Sequence, residues 1–157
     1  MTEITIRAVN WGDPADCSAV VELLDAYSRE PLEGGRPLST YAREHVIDGL
    51  RQQPGAIVLL ARVDARAVGI AVCYRGFSTF AARPLLNLHD LAVLPDFRNR
   101  GVGSRLLEAV CRHAADSGCC KVTLEVRADN HAAETLYRRH GFGDPGGKAT
   151  RFLDKPL

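Results

Sequence analysis

Arg98, Arg100, Gly101 and Gly103 fall within six residues, at the point where an apolar run gives way to a helical one. The stretch reads Asp90-Leu-Ala-Val-Leu-Pro-Asp-Phe-Arg-Asn-Arg-Gly-Val-Gly-Ser104. A buried strand that turns through glycines into a helix aims several backbone N–H groups at one point. The positive end of the helix dipole lies behind them. Gly101 and Gly103 permit positive φ and let an anion approach the main chain, with Arg98 and Arg100 adding charge beside it. The chemistry implied is diphosphate binding. A dinucleotide fingerprint would need a third glycine where Leu106 stands, and a Walker loop would need Gly-Lys-Ser/Thr, which the chain lacks.

A second group of reactive residues precedes the loop. His89 and Asp90 interrupt an otherwise apolar strand, where an unpartnered polar pair costs desolvation energy. A neutral imidazole is a competent base near neutral pH, and a carboxylate can act through water or hold a cationic amine. Successive strand residues face opposite ways, so only one of the two is expected to point directly into a cleft. Glu125 on the following strand is a further carboxylate able to hold a water. Glu30 and Glu33, in the loop Glu30–Pro37, would suit a cationic ligand. Downstream, Asp129 and Asn130 are good helix caps.

Two blocks together carry a family resemblance. Arg98-x-x-Gly101-x-Gly103 resembles the signature Q/R-x-x-G-x-G/A of the GNAT N-acetyltransferases. Asn130-His-Ala-Ala133-Glu-Thr-Leu136-Tyr137-Arg-Arg-His-Gly141-Phe142 resembles that superfamily's N-x-x-A-x-x-L-Y-x-x-x-G-F. With the strands before them the blocks span roughly Leu85 to Phe142. Phe77-Ser-Thr-Phe80 ahead of Arg83-Pro84 faintly resembles the diamine and thialysine acetyltransferases.

The resemblance implies acetyl transfer from acetyl-CoA, as co-substrate, to a primary amine of a small molecule or peptide, by direct attack on the thioester. It implies cofactor contacts from Leu91, Ala92 and Val93, and from Arg98, Asn99, Arg100, Gly101, Val102, Gly103 and Ser104. Asn130, Ala133 and Tyr137 complete that set, with Asn130 on the pantetheine arm. Backbone N–H groups of Leu91 and Val93 would meet the developing oxyanion. Tyr137 would protonate the departing thiolate, since the proton affinities of a phenol and an alkyl thiol are close. His89 or Asp90, or a water held by Glu125, would act as base. Polyamine acetyltransferases show Glu-Asp where this chain has His89-Asp90. A homodimer accords with the family. A non-catalytic acyl-CoA sensor on the same fold is the alternative reading.

These residues need elements to position them. Ile4–Ala8 alternates as a strand. Asp13-Pro14 starts a helix whose apolar stripe is Val20, Leu23, Leu24 and Tyr27. A second helix is expected over Thr40–Gln52, stopped by Pro54-Gly55. Ala56–Ala61 and Val68–Phe80 should form a hairpin, and Leu85–Val93 a further strand. A strong helix begins at Val102 and closes at Gly118. A strand over Lys121–Val126 follows, and the neighbours Cys119 and Cys120 would point to opposite faces of a strand. A helix from about Asn130 to Arg139 comes next, and Phe142–Leu153 is expected to hold one or two final strands. The order predicts an α/β fold, a mixed sheet of about six or seven strands with four helices on both faces.

Residues 1–157 suit one domain. A formal charge of +1 argues against bulk electrostatic attachment to nucleic acid or membrane, despite arginines at 98, 100, 105, 138 and 139. Five cysteines without a C-x-x-C pair read as reduced thiols, with no metal site. Neither a signal peptide nor a run long enough to span a bilayer is apparent, so a cytoplasmic location is expected.

Overall fold

The computed structural model describes residues 3–157. Contacts divide the chain into two compact units, one running to Leu124 and the other covering Glu125–Leu157.

The first unit is built on a five-stranded sheet in the order β1-β2-β3-β4-β5. The strands are β1 (Ile4–Ala8), β2 (Ala56–Val63), β3 (Arg66–Ser78), β4 (Arg83–Val93) and β5 (Val122–Leu124). The first four run antiparallel to their neighbours, and β5 joins β4 in parallel. Two helices precede β2. In α1 (Pro14–Ser28) the Asp13 carboxylate accepts from the N–H of Ala15, and Pro14 occupies the first turn, where its missing N–H costs nothing. In α2 (Thr40–Gln52) Ser39 caps the N–H of Ala42. The third helix, α3 (Val102–Asp116), follows β4.

Side-chain alternation sorts the sheet into two faces. Val58, Leu60, Ile70 and Val72 bury themselves with Val20 and Leu23 of α1 and Leu50 of α2. On the opposite face Gly69 meets Val102 and Leu106 of α3. The buried stripe of α3 comprises Val102, Leu106, Leu107, Val110 and Ala114. Helices therefore cover both faces.

Asp16, the fully buried charged residue of α1, joins β1 and β2 to that helix. It accepts from Arg7 at 2.5 and 2.7 Å, from Arg62 at 2.7 Å and from the N–H of Asn10 at 2.8 Å. The Arg7 hydrogen bond leads the causes that hold its carboxyl well below the usual range.

The second unit contains α4 (His131–Arg139) and a short 3-10 turn at Pro145–Gly147. The final strands expected over Phe142–Leu153 do not form, so the described residues hold five strands rather than six or seven. Gly143, Pro145, Gly146 and Gly147 break the stretch. Proline lacks a ladder donor and glycine pays the largest entropy in a strand. Phe152 and Leu153 remain exposed. Cys119 and Cys120 precede β5 rather than lying within it, and all five cysteines are free.

Candidate active site

Strand β4 carries the candidate site along one edge. Its parallel pairing with β5 covers only Leu86 to Leu88, ending opposite Leu124. The other edge stays paired with β3 through Val93. The N–H of Leu94 donates to Val68 at 2.9 Å, so by antiparallel alternation the N–H groups of Ala92 and Asp90 also face β3. Those of Leu91 and Val93 face away, along the edge that β5 has already left. Val93 confirms the direction with its carbonyl, which accepts from Arg98 Nε at 2.9 Å.

A β-bulge interrupts the same strand. Cys73 stands opposite Leu88 and Val72 opposite Asp90, leaving His89 without a partner residue. The expected alternation of His89 and Asp90 therefore does not hold. Asp90 shares a face with Val72, while the His89 ring lies 5.2 Å from that of Tyr74, two residues further along the same face. Asp90 is half-buried and His89 exposed. Burial pushes the Asp90 carboxyl up, opposed by the charge of His89 and reinforced by that of Glu33. Tyr74 is raised too, by burial and then by the charge of Asp90.

Glu33 reaches this neighbourhood from a 3-10 turn, Pro31–Glu33, in the loop between α1 and α2. Asp25 fastens that loop, accepting from the N–H of Leu38 at 2.9 Å, from Arg29 at 2.8 Å and from Arg43 at 2.9 Å. Glu30, a residue that would suit a cationic ligand, forms an ion pair with Arg98. A small recess between α1 and β4 is lined by Leu23, Ala26, Tyr27, Glu30, Ala92, Val93, Leu94 and Pro95.

The loop after β4 turns through Pro95–Phe97 and enters α3 at Gly101. Asn99 and Gly101 take left-handed φ of 58° and 82°. Asparagine tolerates this region better than most residues, and glycine does so freely. Gly103 lies within α3 without positive φ. Among the described residues no acceptor meets the main-chain N–H groups of Asn99, Arg100, Gly101, Val102 or Gly103. Nothing lies within 4 Å of where a side chain on Gly101 would begin. Ser104 follows in the first turn of α3. These unpaired donors and the helix dipole fit a diphosphate. Arg98 turns back to Glu30 and Val93, so its charge is neutralised at the loop's start.

Gly69 is a residue that sequence reasoning missed. A Cβ there would meet Leu106 Cδ1 at 3.0 Å, the Ala92 carbonyl at 3.1 Å and Val102 Cγ1 at 3.2 Å. Its missing side chain lets the first turn of α3 settle on the sheet directly behind the loop.

In the second unit, Asn130 caps α4 by accepting from the N–H of Ala133 at 3.2 Å. Tyr137 is 9% exposed, and its ring lies 6.0 Å from Phe142. Glu125 is exposed.

Strand β4 thus combines N–H groups left open beyond the end of β5, a bulge, and a following helix whose first amides are unpaired among the described residues. The acetyltransferase (GNAT) family profile matches residues 19–142, and the chain belongs to this family. It is 27% identical over 142 residues to the uncharacterized N-acetyltransferase YhfO of Bacillus subtilis, covering 90% of this chain and 93% of that one. It is 28% identical over 152 residues to the thialysine N-epsilon-acetyltransferase of Bos taurus, covering 92% and 86%. Among solved structures, an aminoglycoside acetyltransferase from an uncultured soil metagenomic sample, in complex with sisomicin, superposes with a TM-score of 0.78 at 19% identity. That match covers 98% of this chain and 95% of the other, and shows a shared fold. No helix among the described residues is long and apolar enough to cross a membrane.

Proposed function

We propose that this chain transfers the acetyl group of acetyl-CoA to a primary amine of a small molecule or peptide in the cytoplasm, by direct attack of the amine on the thioester. The observation that carries the reading is the row of unpaired main-chain donors at residues 99–103, opening on free space at Gly101. Acetyl-CoA supplies the activated acyl group and a thiolate leaving group.

The chain's own residues divide the remaining work. The amides of 99–103 and the head of α3 hold the diphosphate, and Arg98, tied to Glu30, braces the loop. The outward N–H groups of Leu91 and Val93 are placed to receive carbonyl oxygens along the β4 edge. A preorganised donor aimed at a developing oxyanion contributes about 3–4 kcal/mol to transition-state stabilisation. Asp90 takes the amine proton, burial making its carboxylate a stronger base than an ordinary one, and His89 modulates its charge. The acceptor enters against the wall made by the Pro31–Glu33 turn, where the charge of Glu33 favours a cationic amine. Asn130 uses its oxygen as a helix cap, leaving its amide nitrogen to hold the pantetheine arm. Tyr137, by its place in the Asn130–Phe142 block, donates the proton that the thiolate needs. Direct attack is supported by Cys73, the buried cysteine of β3, whose thiol burial pushes up to about 12. At that value it offers no thiolate to carry the acyl group.

The test is thiol release from acetyl-CoA in the presence of polyamines, amino acids, aminoglycosides and peptide N-termini. Amine-dependent release with at least one class is expected. Tight binding of coenzyme A with no release above the spontaneous rate would make the chain a sensor, and absence of binding would remove the diphosphate assignment.

A further inference from the structure

We propose that Arg66, at the start of β3, forms with Arg100 a clamp for the 3′-phosphate of the acyl donor, a third phosphate beyond the diphosphate held by the loop amides. The inference rests on the reading of the loop given above. Both guanidinium groups gather on one ring. The Cζ of Arg66 lies 5.1 Å from the centroid of Phe97, and that of Arg100 lies 5.5 Å from it. Neither has a carboxylate partner among the described residues, whereas Arg98 beside them is neutralised by Glu30. Asp64 and Asp96, their acidic neighbours in sequence, pair with neither.

Two like charges on one half-buried ring repel, and a cation–π contact near the surface returns only about 0.5–1 kcal/mol each. An arrangement of this kind gains most from a dianion between the two cations. A phosphomonoester supplies one and accepts from planar guanidinium forks in a way a single charge does not. The hairpin that carries Arg66 is also held in place. Arg62 donates to the Ala65 carbonyl at 2.6 Å and to Asp16 at 2.7 Å, fastening the hairpin tip to α1. Space beside Arg66 is open, for it lines a cavity of about 500 Å3 with Ser18, Glu22 and Leu94. Glu22 makes no ion pair with it.

The experiment compares coenzyme A with 3′-dephospho-coenzyme A, both in direct binding and, as acetyl thioesters, in turnover. Wild type should favour the phosphorylated form by about tenfold, the size of a charge-assisted contact on an exposed surface. Salt should shrink that preference. Arg66→Gln should cut the preference to about twofold while keeping kcat, and Arg66→Lys should fall between, retaining charge without the planar fork. Arg112→Gln, on the exposed side of α3, should change nothing. Equal weakening of both ligands by Arg66→Gln, or equal wild-type affinity for them, would overturn the clamp while leaving the loop assignment standing. Binding of neither ligand to wild type would remove both.

Discussion

The ring of His89 sits 5.2 Å from that of Tyr74, beside a register shift that sets Asp90 opposite Val72. The bulge places an exposed imidazole and a half-buried carboxyl around the same face, next to the charge of Glu33. Burial and Glu33 make ionisation of Asp90 harder in the folded chain, so the folded state keeps this proton at pH values where the unfolded chain has lost it. Stability from this group is therefore fully present below the ordinary carboxyl value and falls as pH rises through the folded value. Asp90→Asn should melt above wild type at pH 8, with the gap closing as pH drops below about 4. It should also lower kcat roughly a hundredfold, the usual scale for a lost general base. His89→Gln should stay within about tenfold of wild type, acting on the charge of Asp90 rather than on the substrate. Thermal melts across pH with matched rate profiles check both. A His89→Gln loss equal to that of Asp90→Asn would transfer the base to the imidazole.

Gly69 sets how closely α3 approaches the sheet. A methyl group there meets the Ala92 carbonyl at 3.1 Å, and backbone cannot yield as a side-chain tip can. Gly69→Ala should destabilise by about 1–3 kcal/mol, the range for overpacking a filled core. It should also raise the KM for acetyl-CoA, since the displaced turn is the one that begins with Val102. Urea unfolding and steady-state kinetics measure the two effects. A KM unchanged beside a clear stability loss would detach the loop from the packing behind it.

Much of this architecture was legible from residue order. Thr40–Gln52 forms the expected helix end to end because Ser39 supplies a cap and Pro54-Gly55 a stop. Asp13-Pro14 starts α1 for the same kind of local reason. The loop glycines also declared themselves, yet only Gly101 uses positive φ, with Asn99 as the unforeseen second. What escaped was set by long-range pairing. The bulge at His89 arises from how β4 registers on β3, and apolar alternation does not record an unpaired residue. Gly69 read as one more small residue of a strand, because its reason lies in Val102 and Leu106, more than thirty positions away. The engagement of Arg98 by Glu30 joins residues 68 apart. Phe142–Leu153 carried apolar residues that invited a strand, and the glycines and proline among them decided otherwise.

Asp16 is the structural counterpart of the site chemistry. Fully buried, it accepts from two guanidinium groups and one backbone N–H, and these hold its carboxyl far below the ordinary range. A depressed folded value contributes stability above the unfolded value, near pH 4, and loses it as pH falls through the folded one. Asp16→Asn should therefore cost about 3–5 kcal/mol at pH 7 by leaving the largely covered Arg62 without its carboxylate. The difference from wild type should narrow steadily below pH 4. Chemical denaturation at several pH values reads this directly, and a difference independent of pH would assign the loss to packing.

Tyr137→Phe keeps the ring, and with it the neighbour Phe142, while removing the proton. If the hydroxyl protonates the leaving thiolate, kcat should fall roughly a hundredfold with little change in the KM for either substrate. An acetyl donor with a more acidic thiol should recover most of that loss, since such a thiolate leaves without help. A variant as fast as wild type would remove the acid role, and a raised KM with intact kcat would make Tyr137 a binding residue instead.

Gly101 separates backbone strain from obstruction. Its φ of 82° disfavours any Cβ by about 1–2 kcal/mol, yet the space a methyl group would enter is empty of protein. Gly101→Ala should therefore lose about that much stability and also raise the KM for acetyl-CoA about tenfold or more, because the methyl group projects where a phosphate must approach the amides. Gly101→Asn tolerates the left-handed backbone better and should recover part of the stability. Its side chain is larger, so it should bind the donor no better than the alanine variant. That divergence, stability restored and affinity not, is what a main-chain anion site demands. If affinity instead followed stability through the two variants, the loss of binding would be a consequence of loop distortion, and the open amides at the head of α3 would have no ligand to explain them.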